Sequence, residues 1–347
     1  MRSLLVLLCA CGLLAACSAR QRGPSLPQLG EVKEFTIPWA NAFPSDIAVD
    51  GDGRVWFTDR INHIIGRFDP ATREFAVVET PTSRAAPYGI IAAPDGVLWF
   101  AESMAARIAR LDPRTGEVTE YPVTGATRGG PHMLVWHDGL IWFTMREAAG
   151  YGKFDPRTGE STLYELPRSR PYSITATRDA IWFSSYESGM LYEVDPTTGS
   201  ARPHDQRAPA IPRGLSSDSV RALNARNREY AFEVRRVTSD GAGIWFTDMR
   251  RGRVGRYDPA TGQLRNIEAL APGAQPYGIT YTRNGLVWFA ENGANRIVVL
   301  DPVSEHRVSA TMPTRGGTVR HIVVDEKRGR AWLPMSDRGI LGLLEYR

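Results

Sequence analysis

The stretch from Pro87 to Val123, PYGIIAAPDGVLWFAESMAARIARLDPRTGEVTEYPV, decides the fold. It contains four short apolar segments separated by turn sequences. The turn D-P-R-T-G at 112–116 has Pro at its second position and Gly where a left-handed backbone is needed, which is typical of a tight hairpin. The stretch therefore predicts four antiparallel strands.

The four-strand unit repeats along the chain. A Trp followed by Phe or Leu recurs at intervals of 43, 43, 40, 63, 43 and 44 residues. The seven positions are Trp56, Trp99, Trp142, Trp182, Trp245, Trp288 and Trp332. Seven such units predict an all-β, seven-bladed β-propeller at residues 31–347, with Trp and aliphatic side chains packed between blades.

The last unit lacks its fourth strand. Its third predicted strand ends the chain at 341–346, whereas GEVKEFTIP at 30–38 matches the fourth-strand sequence GEVTEYPV. We therefore expect the N-terminal strand to complete the last blade and close the ring, which removes an exposed sheet edge. The 63-residue interval between Trp182 and Trp245 predicts an insertion at about residues 203–235. It is either a surface loop or a lid with a short helix near Val220.

The cysteines Cys9, Cys11 and Cys17 all precede residue 18. The rest of the chain therefore has no disulfide, no cysteine-ligated metal and no thiol nucleophile. Residues 1–16 have a basic start, an apolar run and small residues before Cys17, as a signal peptide does. The sequence L-A-A-C that ends at Cys17 resembles a bacterial lipobox, which implies cleavage before Cys17 and lipid on that cysteine.

We accordingly expect an exported protein that is lipid-anchored in the bacterial envelope. Ser18 after the cysteine favours the outer membrane, facing the periplasm, and residues 17–30 are expected to be the lipidated cysteine and a flexible tether. An ordinary signal peptide with a chance cysteine is the alternative. The net charge of +4 comes from arginines spread along the chain, so we expect no nucleic-acid partner, and we expect a monomer.

The motifs P-Y-G-I, D-G-x-x-W-F-A-E, R-I-x-x-L-D-P and E-Y-P resemble the streptogramin B lyase (virginiamycin B lyase) family over nearly all of 31–347. The resemblance implies elimination at the ester linkage of a cyclic depsipeptide antibiotic, with Mg²⁺, a His base and nearby carboxylates. Pro131-His132 matches the family's P-H-x-I, and Trp142-Phe143-Thr144-Met145 is close to its W-F-A-M-E. However, Arg146 and Gly130 stand where the family has carboxylates.

One position in each predicted first strand lines the mouth of the central funnel. It is held by Ser45, Tyr88, His132, Tyr172, Arg235, Tyr277 and Arg320. Aromatic and cationic side chains around one mouth suit an anionic or aromatic ligand, so we predict that a small molecule or an envelope protein binds there. His321, next to Arg320, joins the ligand-binding candidates. Alternatively, these residues only fill the funnel with polar side chains.

The third residue after four of the tryptophans is a carboxylate. These candidate metal ligands are Asp59, Glu102, Asp248 and Glu291. If they converge, they could hold a hard cation such as Mg²⁺ through oxygen atoms. Alternatively, arginines such as Arg107 and Arg296 neutralise them without a metal.

His132 and Arg146 are the catalytic candidates. His132 would act as a general base, and Arg146 would stabilise the developing enolate. Two functions stay open: a carbon–oxygen lyase acting on a cyclic depsipeptide or related ester, and a non-catalytic lipoprotein that binds a ligand or an envelope protein. The missing family carboxylates favour the second.

Overall fold

The computed structural model describes residues 23–127, 129–167, 169–185, 188–204, 233–268 and 273–347. The predicted signal peptide, Cys17 and most of the predicted insertion, with the short helix near Val220, lie outside the described residues. Within the described ranges, no helix has the length and apolar character needed to cross a membrane.

The described residues form seven antiparallel sheets of four strands each, which are the blades of a propeller. The strand β1 (Leu29–Thr36) belongs to the last blade. Blade 1 consists of β2 (Pro44–Val49), β3 (Val55–Asp59), β4 (Ile64–Asp69) and β5 (Glu74–Glu79). Blade 2 consists of β6 (Pro87–Ala92), β7 (Leu98–Glu102), β8 (Arg107–Leu111) and β9 (Val118–Pro122). Blade 3 consists of β10 (Leu134–His137), β11 (Leu140–Met145), β12 (Gly150–Asp155) and β13 (Glu160–Glu165).

The remaining blades continue the same order around the ring. Blade 4 consists of β14 (Pro171–Ala176), β15 (Ile181–Ser185), β16 (Leu191–Val194) and β17 (Ala201–His204). Blade 5 consists of β18 (Val234–Ser239), β19 (Ile244–Asp248), β20 (Arg253–Asp258) and β21 (Gln263–Glu268). Blade 6 consists of β22 (Pro276–Tyr281), β23 (Val287–Glu291), β24 (Arg296–Leu300) and β25 (Arg307–Thr311). Blade 7 consists of β26 (Val323–Asp325), β27 (Arg330–Met335), β28 (Ile340–Tyr346) and β1.

The N-terminal strand closes the ring as the sequence predicts. The strand β1 pairs antiparallel with β28, with Val32 opposite Leu344 and Thr36 opposite Ile340. The strand begins at Leu29, and Leu26 already packs against the core between blades 6 and 7. The folded part therefore starts a few residues before the predicted boundary at residue 31.

The repeated Trp-Phe pair joins neighbouring blades. Successive side chains of a strand point to opposite faces of its sheet, so Trp and the residue after it face different neighbours. Trp56 of blade 1 clusters with Phe100 of blade 2, and Trp332 of blade 7 clusters with Phe57 of blade 1. All seven repeat tryptophans are at most 3% exposed. This packing confirms the predicted layers between blades.

Glycine allows the innermost strands to approach closely between blades 2 and 3. The Gly89 N–H donates to the His132 carbonyl oxygen at 2.9 Å. A Cβ at Gly89 would lie 2.7 Å from that oxygen and 2.9 Å from Met133 Cα. A larger residue would therefore push the two strands apart at the mouth.

Candidate functional site

The first strands, and the residues that lead into them, bring six of the seven predicted mouth residues into one connected group. The Tyr88 ring stacks on His132 with centroids 4.0 Å apart, and the His132 ring lies 5.0 Å from the Tyr172 ring. Ser45 is the exception, because it is fully buried and donates to the Phe43 carbonyl oxygen at 3.3 Å.

Three tyrosine hydroxyls form a chain across the mouth. The Tyr88 and Tyr172 hydroxyl oxygens are 3.4 Å apart, the Tyr172 and Tyr277 hydroxyls are hydrogen-bonded, and Arg320 Nη1 donates to the Tyr277 oxygen at 3.3 Å. Burial raises the pKa of Tyr277, and it raises the pKa of Tyr172 to about 12. The Tyr172 and Tyr277 hydroxyls are therefore protonated at neutral pH, and each can donate as well as accept a hydrogen bond.

Two guanidinium groups flank this hydroxyl chain. The Cζ atoms of Arg235 and Arg320 each lie 5.5 Å from the centroid of the Tyr277 ring, within the range of cation–π contacts. Arg235 pairs with Glu233, and Arg320 Nη2 lies 3.8 Å from the Asp337 carboxylate. The convergence of these side chains matches the sequence prediction, and ligand binding by them stays a prediction.

His132 is neutral and buried, with 5% of its surface exposed. Its Nδ1 lies 3.3 Å from the Tyr172 carbonyl oxygen, which only accepts, so Nδ1 carries the proton and Nε2 has the lone pair. Among the described residues, Nε2 has no hydrogen-bond partner. Burial lowers the pKa of His132 to about 3, and the charges of Arg146 and Arg236 act in the same direction. In this state the imidazole is a weak base.

Arg146, the second catalytic candidate, lies beside the same part of the mouth. Its Cζ is 5.8 Å from the centroid of the Tyr172 ring, and its Nε is 3.4 Å from the Glu147 carboxylate. A guanidinium near His132 disfavours the imidazolium that proton abstraction would produce. The position of Arg146 therefore weighs against His132 as a general base.

A buried ionic layer lies one residue further along the first strands, and sequence reasoning missed it. Asp46 Oδ1 lies 2.6 Å from His321 Nδ1 and 3.1 Å from Arg236 Nη2, and Asp46 Oδ2 accepts from the Ile90 N–H at 3.0 Å. Arg236 Nε donates to the Arg320 carbonyl oxygen at 2.8 Å, which connects this layer to the mouth. Burial alone would raise the pKa of Asp46, but His321 and Arg236 outweigh it and hold the pKa below its ordinary value.

The repeat contains a signal that could have found this ionic layer. The residues after the seven mouth positions are Asp46, Gly89, Met133, Ser173, Arg236, Gly278 and His321. Three ionisable residues among small and apolar ones, at positions that converge on the axis, predict an ionic contact there. His321, a candidate ligand-binding residue, contacts Asp46 in this layer, and its side chain is 25% exposed. A cavity of 180 Å³ adjoins the layer within the central channel.

The four candidate metal ligands are fully buried but do not form one cation site. Among the described residues, no three His, Cys, Asp or Glu side chains come together in a way that could hold a metal ion. Asp59 accepts from the Trp39 indole and from the Asn62 amide, each at 2.9 Å. Glu291 pairs with Arg296 at 2.6 Å, as the metal-free alternative expects.

The other two candidate ligands, Asp248 and Glu102, also interact with residues close to them and not with each other. Asp248 accepts from the Glu233 N–H at 3.1 Å. Glu102 differs from Glu291, because the arginine across from it, Arg107, pairs instead with Glu120, with Arg107 Nε 3.6 Å from the Glu120 carboxylate. Burial, and then the charge of Glu120, raise the pKa of Glu102 to about 8. These carboxylates stand at the ends of second strands, one strand further from the axis than the mouth residues.

The propeller repeat also carries a family signature. The family model of the virginiamycin B lyase family matches residues 18–202, more than half of the 347-residue chain. The chain belongs to the virginiamycin B lyase family. No match was found among curated protein sequences.

Solved structures of virginiamycin B lyases have the same fold. The enzyme from Staphylococcus aureus is 22% identical with a TM-score of 0.75, and the match covers 91% of this chain and 99% of that chain. A streptogramin B lyase structure is 24% identical with a TM-score of 0.75, over 91% and 97% of the two chains. A catalytically inactive S. aureus variant with quinupristin is 22% identical with a TM-score of 0.74, over 91% and 99%.

The residues around His132 do not fit the Mg²⁺ site that the virginiamycin B lyase signature implies. Its carboxylate positions are held here by Arg146 and Gly130. Mg²⁺ prefers carboxylate and other oxygen ligands, whereas the charges of Arg146 and Arg236 both oppose a cation at His132. The side chains around His132 therefore do not provide the ligands that Mg²⁺ prefers.

Proposed function

We propose that this member of the virginiamycin B lyase family binds a small molecule with an anionic or aromatic group at the mouth of the propeller. The observation that carries the proposal is the hydroxyl chain from Tyr88 through Tyr172 and Tyr277 to Arg320. Tyrosine hydroxyls can donate to an anion, and a guanidinium adds charge and a planar surface for an aromatic ring.

Ligand-observed NMR with benzoate and 4-hydroxybenzoate tests the proposal. We expect saturation transfer to both probes from the wild-type protein. Arg320→Ala removes one charge-assisted contact, which contributes about 1.5–3 kcal/mol, so we expect affinity to fall roughly tenfold or more. Arg157→Ala is the matched control, because Arg157 lies in the outer turn of blade 3 with its side chain 80% exposed. Equal binding by the two variants would contradict the proposal.

A carbon–oxygen lyase is the second candidate function. It is favoured by the buried Nε2 of His132, which has a lone pair and no hydrogen-bond partner among the described residues. Such a nitrogen could accept a proton during elimination from an ester-bearing substrate. The test is incubation with a streptogramin B in the presence of Mg²⁺ or EDTA, with the linearised product measured by liquid chromatography and mass spectrometry. No product, or equal product from His132→Ala, would exclude this function.

We also propose that the protein is held in the bacterial envelope by lipid on Cys17. The lipobox sequence supports this proposal. Mass spectrometry of the N-terminal peptide should show an acylated cysteine, and Cys17→Ala should release the protein from membranes. Pull-down from envelope extracts tests the related proposal that an envelope protein binds at the mouth.

A further inference from the structure

The chain enters the propeller on the face opposite the mouth. We call this the bottom face, and it carries the turns between the first and second and between the third and fourth strands of each blade. Leu29, the first residue of β1, lies opposite Tyr346, whose N–H donates to Gly329 in the turn between β26 and β27. At the other end of β1, the Ile37 N–H donates to Gly339 in the loop on the mouth side.

The residues before β1 pack on bottom-face turns of blade 6. A methyl group at Gly23 would collide with the carboxylate of Asp301, in the turn between β24 and β25. Pro24 lies against Gly285, since Pro24 Cγ is 3.5 Å from the place of a Cβ on that glycine. Leu26 then packs against the core of blades 6 and 7. The path of residues 23–29 is therefore fixed along the bottom face.

We propose that the bottom face of blades 6 and 7 lies against the surface of the lipid bilayer and that the mouth points away from it. This inference rests on the proposed lipid anchor. From Cys17 to Gly23 the chain advances six residues, which span at most about 21 Å when fully extended. A six-residue strand alone spans about 20 Å. The tether reaches a bilayer from the bottom face but is too short to pass a blade and its loops and place the mouth on the bilayer.

The orientation follows from the tether and not from charge. Two of the cations on this face are paired, since Arg328 lies 2.9 Å from Asp325 and Arg265 lies 2.5 Å from Glu305. Val303, next to the Asp301 turn, is apolar and 59% exposed. We therefore expect the same orientation on zwitterionic phosphatidylcholine vesicles, without anionic lipid.

Two engineered cysteines test the orientation, because the chain has no cysteine after Cys17. Val303→Cys labels the bottom face. Met104→Cys labels the mouth side, where Met104 is 63% exposed and its N–H donates to Ala85. The full-length lipidated protein, labelled with a fluorophore, is reconstituted in phosphatidylcholine vesicles that carry a quencher on the lipid headgroups. We expect at least twofold stronger quenching at position 303 than at position 104.

A long tether is the control. A flexible Gly/Ser insert of about 24 residues after Ser18 reaches far beyond the height of the propeller, so the two quenching values should converge. Equal or stronger quenching at position 104 with the native tether would overturn the orientation alone. An unmodified Cys17 in the mass spectrum would overturn the anchor and the orientation together. The NMR test of ligand binding at the mouth is independent of both outcomes.

Discussion

Replacing Asp46 by Asn tests the buried ionic layer that joins blades 1, 5 and 7. Asp46 is 1% exposed, and its carboxylate faces the guanidinium of Arg236, itself 4% exposed, and the imidazole of His321. Asn keeps the size of the side chain and can still accept from the Ile90 N–H, but it removes the negative charge. The variant therefore leaves the Arg236 guanidinium buried without its carboxylate.

The expected loss of stability follows from the buried guanidinium that is left without a carboxylate. Removing one partner of a buried ion pair destabilises a protein by about 3–5 kcal/mol, because the other charge stays buried and uncompensated. Arg236 keeps its hydrogen bond to the Arg320 carbonyl oxygen at 2.8 Å, so we expect the lower end, about 3 kcal/mol. In Asp46→Asn/Arg236→Met both charges are absent, and we expect a coupling energy of about 1.5 kcal/mol or more.

Urea unfolding followed by tryptophan fluorescence measures these differences, since the chain has nine tryptophans. We expect a lower midpoint with an unchanged slope. Asp52→Asn is the matched control, because the Asp52 side chain is 76% exposed and its loss should change stability by less than about 0.5 kcal/mol. A loss below 1 kcal/mol for Asp46→Asn, or a loss equal to that of the control, would refute a stabilising ionic layer.

The pH dependence of the same variant gives a second measurement. The pKa of Asp46 is lower in the folded protein than its ordinary value of 3.8. Its contribution to stability is therefore present above pH 3.8 and is lost as the pH falls through the folded pKa. The stability gap between wild type and Asp46→Asn should narrow below about pH 4, and a constant gap would contradict the pKa direction.

Three further substitutions test other parts of the structure. The pKa of Glu102 is raised from 4.5 to about 8. The free energy of unfolding of the wild-type protein should therefore decrease as the pH rises between those values, by at most about 1.4 kcal/mol per pH unit. In urea titrations, Glu102→Gln should remove this decrease. Gly89→Ala places a Cβ 2.7 Å from a backbone oxygen and should cost about 1–3 kcal/mol in thermal unfolding. The control Gly51→Ala has no atom within 4 Å of its added Cβ and should be near neutral. Val32→Asp buries a charge in the closing strand and should lower the melting temperature far more than Thr36→Asp at the exposed end of the same strand. A flat pH profile in wild type, or equal effects of each variant and its control, would contradict these expectations.

The repeat made the architecture predictable from the sequence. The spacing of Trp-Phe pairs and the D-P-x-T-G turns determines the number of blades, and the match between 30–38 and the fourth-strand motif identifies the closing strand. The same alignment also predicts which side chains meet at the mouth, because equivalent positions in a propeller are equidistant from its axis. Tyr88, His132 and Tyr172 therefore converge as expected.

The details of the site were less predictable because they depend on local competition for hydrogen bonds. Glu102 and Glu291 occupy the same repeat position, yet Arg296 pairs with Glu291 while Arg107 is drawn to Glu120. A shared cation site would require the four carboxylates to converge, whereas Asp59 and Glu291 are held by hydrogen bonds and ion pairs within their own surroundings. The ion pair between Asp46 and Arg236 joins residues 190 positions apart, so only the repeat alignment could reveal it.

A crystal structure of the protein soaked with 4-hydroxybenzoate tests the central claim most directly. We predict electron density for the probe at the mouth, with its carboxylate near the Arg320 guanidinium and its ring beside Tyr172 and Tyr277. Density at another surface of the propeller, or an empty mouth in crystals of a protein that binds the probe in solution, would contradict the assignment of the mouth as the ligand site.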